Sequence, residues 1–196
     1  MKLIFATNNQ HKVAELKSVV GNRFEICSLL ESGIDLDIPE PHDTLNENAL
    51  EKSKTIFQLT GNNCFSEDTG LEVDALNGEP GIKSARYAGE EKSFENNIDK
   101  LLLNLKNSSN RSARFRTIIS LIINKEEHFF EGICEGRIHT ERKGTEGFGY
   151  DSVFIPTGSE KSFGEMNMEE KKKFSHRRKA TDQLIKFLQQ LPTFQD

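Results

Sequence analysis

The amino-acid sequence predicts a mixed α/β fold, and three observations support this. Short apolar runs typical of buried strands alternate with segments in which apolar residues recur at helical spacing. Two long runs, residues 113–124 and 129–139, lie close together in sequence and predict an antiparallel hairpin beside them. The chain has 196 residues, which suffice for one sizeable core. We therefore expect a single domain covering residues 1–196.

Composition narrows the possible partners. Hydrophobic residues make up 35% of the chain and charged residues 29%, and no apolar run approaches the length of a membrane span. The net charge of -5 argues against binding to a nucleic-acid polymer. The chain has three cysteines, an odd number, and each lies in an apolar stretch, as expected for reduced core residues; they are Cys27, Cys64 and Cys134. No export signal is visible at the amino terminus, so we expect a cytoplasmic protein with no membrane partner.

The first elements are a strand over residues 2–7, a polar turn and a helix. The turn reads Thr7-Asn8-Asn9-Gln10-His11-Lys12. Its backbone N–H groups, the positive end of the helix dipole and the charge of Lys12 together form an anion site in outline. A plain helix cap is the alternative, because the turn lacks the glycines of a Walker loop.

A second strand over residues 24–30 and an acidic, proline-stiffened loop around Glu40 lead into a long helix. Thr44 and Glu47 have the spacing of a capping box, and Gly61 is placed to end the helix at about Thr60. We expect Lys54 to be solvated. The predicted inward face of the helix consists of Leu45, Ala49, Ile56 and Leu59.

The stretch Cys64-Phe65-Ser66-Glu67-Asp68-Thr69-Gly70 is the centre of the functional prediction. Its apolar part predicts a buried strand that ends at the two acids, and open α/β sheets bind ligands at such edges. Side chains alternate along a strand, so Glu67 and Asp68 should point to opposite faces and only one can enter a given cleft. We choose Asp68. The alternative is a solvated strand end with an acidic turn.

The remaining chain predicts two more helices and a glycine-rich loop. Residues 71–76 alternate like a separate strand, and Ser93 caps a helix with Phe94 on its inward face. Glycines on both sides of Phe148 leave its ring free to stack on a base in a cleft, or to tuck onto the core. The basic run 171–173 and His176 precede the last helix, and they are either solvated or part of a site.

Five blocks in this order resemble the inosine triphosphate pyrophosphatases, a family that cleaves non-standard purine nucleoside triphosphates. The resemblance spans essentially the whole chain. The chain departs from the family at two places. Glu67 stands where the family usually has the first of two aspartates, and the segment between Glu40 and Glu47 is shorter than in many members. The blocks are residues 7–12, Glu47-Asn48-Ala49 with Lys52, residues 66–71 with 80–87, residues 148–151, and Lys171 with Ser175-His176-Arg177.

The resemblance implies an elongated, twisted mixed sheet with flanking helices and two lobes around a central cleft. It also implies a homodimer that uses the segment of Arg86 and Tyr87, for which intramolecular packing is the alternative. The implied reaction is Mg²⁺-dependent hydrolysis of the triphosphate to the monophosphate and pyrophosphate. Asp68 would be the catalytic base, a metal ligand or both, with Glu40 as the second metal ligand and Glu67 as the alternative for that position.

The resemblance also assigns substrate contacts. Lys12, Lys52 and Lys171 would hold the triphosphate, and Phe148 would stack on the purine. A donor such as Arg177 at the C6 carbonyl would favour hypoxanthine and xanthine over adenine. The complete predicted set is Thr7, Asn8, Asn9, Gln10, His11, Lys12, Lys52, Thr69, Phe148, Gly149, Tyr150, Asp151, Lys171, Ser175, His176 and Arg177.

Two alternative functions differ in testable ways. A septum-formation-type nucleotide pyrophosphatase prefers other bases, but its opening motif carries serine, proline and paired arginines that residues 7–12 lack. A non-catalytic nucleotide-binding protein would not need Asp68 beside the cations.

Overall fold

The computed structural model describes residues 2–20 and 24–191. Within these residues a seven-stranded sheet has the order β2-β1-β3-β5-β6-β7, with β4 paired to β3. The strands are β1 (Lys2–Phe5), β2 (Glu25–Ser28), β3 (Cys64–Val73), β4 (Pro80–Gly81), β5 (Ser112–Ile123), β6 (Glu126–Ile138) and β7 (Phe154–Pro156). β1 is parallel to β2 and β3, whereas the other pairs are antiparallel. The predicted mixed sheet and its hairpin are confirmed.

Five helices flank the sheet in the described part of the chain. They are α1 (Gln10–Val20), α2 (Leu45–Thr60), α3 (Phe94–Asn104), α4 (Met168–Lys172) and α5 (His176–Gln190). Thr44 and Ser93 each accept a backbone N–H three residues further on, so the predicted cap positions are confirmed for α2 and α3. Ser175 caps α5 in the same way. No helix in residues 2–20 or 24–191 is both long and apolar enough to cross a bilayer.

The inward face of α2 differs from the prediction at one position. Leu45, Ala49 and Ile56 are buried as expected, but Leu59 is 60% exposed. Lys52 takes part in the buried stripe instead, because its position lies between Ala49 and Ile56 on the same helix face. The helix thus carries a charged group to the middle of the sheet.

Two hydrophobic clusters lie at opposite ends of the long strands. On one face of β3, Phe65 belongs to the cluster beneath α1 and α5, whereas Leu71 and Val73 belong to the cluster beneath α3. Side chains on one face of a strand recur every second residue. Between Phe65 and Leu71, the same face of β3 therefore carries Glu67 and Thr69. The clusters are the cores of two lobes, and the polar positions between them mark the cleft.

The strand at the centre does not end where the sequence predicts. β3 continues past Glu67 and Asp68 to Val73, because β5 pairs with it along all ten residues, and residues 74–76 then form a 3₁₀ turn rather than more strand. The opposite edge of β3 is interrupted. β1 pairs only with Cys64 and Phe65, and β4 only with Leu71 and Glu72. The backbone edge of residues 66–70 therefore faces the cleft.

Candidate active site

At the interrupted edge of β3 the two acids point to opposite faces of the strand, and only Asp68 lines the cleft. Glu67 and Asp68 are 2% and 6% exposed. Glu67 contacts Arg177, on the side of α5, and Asp68 contacts Lys52, on the side of α2. The predicted divergence of the two carboxylates is confirmed, although they emerge at an open strand edge rather than at a strand end.

Lys52 is the cation beneath Asp68. Its Nζ atom lies 2.9 Å from Asp68 Oδ1, 2.6 Å from Glu40 Oε1 and 2.9 Å from the Glu67 carbonyl oxygen. Burial raises the pKa of Asp68, with the charge of Glu40 adding to the rise and that of Lys52 opposing it. Burial would also raise the pKa of Glu40, but the charge of Lys52 outweighs it and lowers that pKa. One ammonium group thus sits among three oxygen atoms.

Arg177 is held rigidly between two acids. Its Nε and Nη2 atoms donate to Glu67 at 2.7 and 2.8 Å, and Nη1 donates to Glu15. Burial would raise the pKa of Glu15, but Arg177 and Lys171 lower it to about 2. The Glu67 carboxylate therefore pairs with Arg177 and not with the cation shared by Glu40 and Asp68, although the Glu67 carbonyl oxygen contacts Lys52.

Lys171 joins the last helices to the glycine-rich loop. Its Nζ atom lies 2.6 Å from Glu15 Oε1 and 2.7 Å from Asp151 Oδ2, and the same Asp151 oxygen accepts the N–H of Phe148 at 2.9 Å. A Cβ atom at Gly147 would lie 2.0 Å from that oxygen, so the loop can close on Asp151 only with glycine there. Asp151 fixes the loop that carries Phe148.

The turn before α1 serves as a helix cap and also lines the cleft. Asn9 Oδ1 accepts the backbone N–H groups of His11 and Lys12 at 3.0 and 3.3 Å. Lys12 lies 3.4 Å from Glu67 Oε1. Gln10 is exposed at the first position of α1, and it does not line the two chambers described next.

The cleft consists of two chambers that share one junction. We name them after the parts of the nucleotide that the resemblance predicts for them: the base chamber, with a volume of about 130 Å³, and the phosphate chamber, with a volume of about 280 Å³. The residues common to both are Asn9, Lys12, Glu40 and Ala85. The base chamber is further lined by Asp68, Thr69, Phe148, Gly149, Tyr150, Asp151, Lys171, His176 and Arg177. The phosphate chamber is further lined by Thr7, Asn8, Lys52, Arg86 and Lys92.

Aromatic groups border the base chamber. The Phe148 ring is partly buried and stacks on His11 with centroids 5.0 Å apart, and Phe94 lies 6.1 Å away. Phe94 is 39% exposed, so it borders the chamber instead of the core that sequence predicts for it. His176 is 3% exposed and stacks on Phe115 at 4.6 Å. Ser175 caps α5 and does not line the chamber.

His176 carries a buried ring nitrogen without a protein partner. Its Nδ1 atom has no hydrogen-bond partner among the described residues. Burial, with the charges of Arg177 and Lys171, lowers the pKa of His176 well below its usual value, so the ring is neutral near pH 7. A Cβ atom at Gly132 would lie 2.0 Å from the His176 carbonyl oxygen, so glycine on β6 lets the start of α5 approach the sheet.

Sequence reasoning missed Glu15. Glu15 lies three residues after Lys12 on α1, and this spacing places both charges on one helix face. Ser84 and Ala85 line the cleft and belong to the predicted block of residues 80–87, which assigned them no individual role. The Ser84 carbonyl oxygen accepts a hydrogen bond from the Tyr150 hydroxyl at 2.9 Å.

The carboxylates of the cleft could supply only some of the ligands that a magnesium ion needs. Within residues 2–20 and 24–191, no three His, Cys, Asp or Glu side chains gather into a metal cage. Mg²⁺ usually keeps several waters and takes one or two carboxylates together with phosphate oxygens. Glu40 and Asp68 already share one cation, Lys52. This donor set fits Mg²⁺ that arrives with a polyphosphate.

An α/β sheet with a cleft that combines an aromatic chamber, paired carboxylates and clustered lysines defines a nucleotide-phosphate enzyme. Residues 3–187 match the model of the Ham1 family. The chain therefore belongs to the Ham1 family, and the resemblance that the five blocks indicate is confirmed.

Similar proteins carry a consistent name. The dITP/XTP pyrophosphatase of Christiangramia forsetii is 49% identical and covers 96% of this chain and 99% of its own. The dITP/XTP pyrophosphatase of Porphyromonas gingivalis is 50% identical and covers 95% of this chain and 97% of its own. The structure of the Staphylococcus aureus Ham1 protein superposes with a TM-score of 0.87 at 39% identity, over 96% of this chain and 98% of that one.

Proposed function

We propose that this protein hydrolyses non-standard purine nucleoside triphosphates, dITP, XTP and ITP, to the monophosphate and pyrophosphate. The carrying observation is the position of Asp68, which lines the aromatic chamber and contacts Lys52 of the cationic chamber, while Glu40 at the junction shares that lysine. A nucleotide with its base against Phe148 and its β- and γ-phosphates beside Lys12 and Lys52 has its α-phosphorus near that junction.

Asp68 orients and deprotonates the attacking water in this proposal. Its raised pKa makes the carboxylate a stronger base than an exposed aspartate, while Lys52 holds its orientation. Glu40 and Asp68 would hold Mg²⁺, which supplies neutralising charge for the phosphate oxygens when bound. Attack on phosphorus depends mostly on positioning and on neutralised charge, and the lysines of the cleft provide both.

Base selection rests on Phe148, Arg177 and His176. A guanidinium has five N–H donors, and Arg177 uses three of them on Glu67 and Glu15. The remaining donors are held in fixed directions, so one of them can donate a hydrogen bond to a C6 carbonyl oxygen, whereas the amino group of adenine would place a donor against a donor. An unmet buried donor costs about 1–3 kcal/mol.

The decisive assay supplies the purified protein with Mg²⁺ and, separately, xanthosine, inosine, guanosine and adenosine triphosphates. We expect pyrophosphate and monophosphate from the first two, and little from the others. Release of orthophosphate would contradict the proposed bond cleavage. A preference for other bases would favour the septum-formation-type alternative, and binding without hydrolysis would favour a non-catalytic protein.

The role of Asp68 is tested by Asp68→Asn. We expect nucleotide affinity to persist and hydrolysis to fall by about 10²–10⁴-fold, the usual contribution of a positioned base. Asp74→Asn is the matched control, because Asp74 lies beyond the end of β3 in a 3₁₀ turn. Equal losses in both variants would remove Asp68 from the chemistry.

A homodimer and a cytoplasmic location complete the proposal. Cys27, Cys64 and Cys134 are free thiols, as a reducing compartment requires. Tyr87 is 6% exposed, and its hydroxyl bonds to Glu79 and Asn104 within the chain, so the intramolecular alternative accounts for it. Sedimentation velocity measures the proposed dimer directly.

A further inference from the structure

We propose that Lys92 binds the terminal phosphate of the substrate and makes the site selective for triphosphates over diphosphates. This inference rests on the proposed function, since it names a further contact for the same nucleotide. Lys92 lies in the loop between the Ser84–Arg86 turn and α3, and it lines the phosphate chamber.

Within residues 2–20 and 24–191, the cations that line the chamber have carboxylate partners except for Lys92. The ionisable residues that line it are the cations Lys12, Lys52, Arg86 and Lys92 and the anions Asp37 and Glu40. Lys52 is countered by Glu40 and Asp68, and Lys12 by Glu67. Arg86 lies 3.4 Å from Glu40 and 3.9 Å from Glu90. Among the described residues, Lys92 has no carboxylate within 4.0 Å, so its charge is available to a ligand.

The position of Lys92 fits the end of the polyphosphate better than its beginning. The base chamber and the phosphate chamber meet at Asn9, Lys12, Glu40 and Ala85, and Lys92 lines only the second. A nucleotide that places its α-phosphate at the junction extends its later phosphates into the phosphate chamber. Lys52 and Arg86 line the same chamber but already have carboxylate partners. Lys92 is therefore the cation that we assign to the last phosphate, which a shorter nucleotide lacks.

The backbone holds Lys92 in an uncommon conformation. Its φ of 53° lies in the left-handed region, which residues other than glycine seldom adopt. The loop hydrogen bonds of Gly89 N–H to Arg86 and Lys92 N–H to Gly89 set this conformation, and Ser93 begins the cap of α3 immediately afterwards. Backbone strain of this kind concentrates at ligand sites.

The test compares Lys92→Gln with Lys83→Gln. Both lysines are exposed and lie on the same lobe, and both changes remove one positive charge, but Lys83 lines the neighbouring cavity rather than the phosphate chamber. Binding of xanthosine tri-, di- and monophosphate is measured with Mg²⁺ in an Asp68→Asn background, where hydrolysis is suppressed. Steady-state kinetics on the otherwise unchanged enzyme supply KM and kcat.

We expect Lys92→Gln to weaken triphosphate binding and raise its KM by about fivefold, as for an exposed charged contact, while kcat stays within about twofold. Diphosphate and monophosphate binding should not change, Lys83→Gln should match the parent, and Lys92→Arg should restore affinity. Unchanged triphosphate affinity, or an equal loss for diphosphate, would overturn the inference. Absence of hydrolysis by the parent enzyme would instead overturn the proposed function. The two failures are distinguishable, because the binding measurements do not depend on turnover.

Discussion

Replacing Glu67 by glutamine should destabilise the fold more than any comparable change on β3. The Glu67 side chain is fully buried, and it pairs through both oxygens with Arg177, which is 3% exposed. Glutamine has no charge, and its amide nitrogen would face one of the guanidinium N–H groups. Arg177 would keep only Glu15 as a carboxylate partner.

The size of this effect follows from the burial of the pair. Removing one member of a buried ion pair costs about 3–5 kcal/mol, because the other charge stays in the interior without compensation. For a domain of this length, 1 kcal/mol shifts Tm by about 2–4 °C, so the expected decrease is roughly 6–20 °C. Arg177 also lines the base chamber, and affinity for the nucleotide should decrease in parallel.

The assay is thermal and urea unfolding followed by far-UV circular dichroism, since the chain has no tryptophan. The control is Glu72→Gln, the same substitution on the same strand. Glu72 pairs with Arg114 and Arg116 near the surface, where such bridges contribute about 0–1 kcal/mol. If both variants lost the same small amount of stability, the argument that Glu67 compensates the buried Arg177 charge would be refuted.

Four further outcomes are expected. Glu40→Gln should raise the Mg²⁺ concentration for half-maximal activity about tenfold with little change in Tm, and an unchanged Mg²⁺ titration would exclude Glu40 as a ligand. Activity should be lost as pH falls through the raised pKa of Asp68. A higher Mg²⁺ concentration should move this loss to lower pH, because a cation favours the charged carboxylate. An acid side of the pH–activity profile that does not move with Mg²⁺ would contradict this expectation. The lowered pKa of Glu15, from 4.5 to about 2, contributes about 3 kcal/mol of stability that is present above pH 4.5 and lost as pH falls toward 2, so Glu15→Gln should flatten the acid side of the unfolding free-energy curve. Phe148→Ala should raise KM about tenfold if the ring stacks on the base, and no change in KM would remove that role.

Local features of the fold follow from the sequence because their causes are local. Thr44 caps α2 through the Glu47 N–H, and Gly61 ends it with a φ of 67°, as the spacing predicts. The hairpin between β5 and β6 turns at Asn124 and Lys125, both with positive φ. These features depend on residues a few positions apart.

The sequence predicts which segments contribute residues to the site, but it does not predict which charged residues pair with each other. Asp68 and Lys52 contact each other across 16 positions, and their types and order already predict a cationic cleft. The partners of Arg177 are 110 and 162 positions away in Glu67 and Glu15. Neither pairing has a local pattern, so Glu67 remained an alternative metal ligand until its contacts were known.

The sequence by itself determined the mixed α/β class, the helix boundaries and the residue types that gather at the cleft, because apolar periodicity and capping act over short distances. Only the tertiary structure decided that β3 runs on past its acids, since β5 pairs along its whole length while β1 and β4 leave residues 66–70 open. It also decided which buried charges pair, because a charge in a low-dielectric interior persists only where the folded chain brings an opposite charge to it.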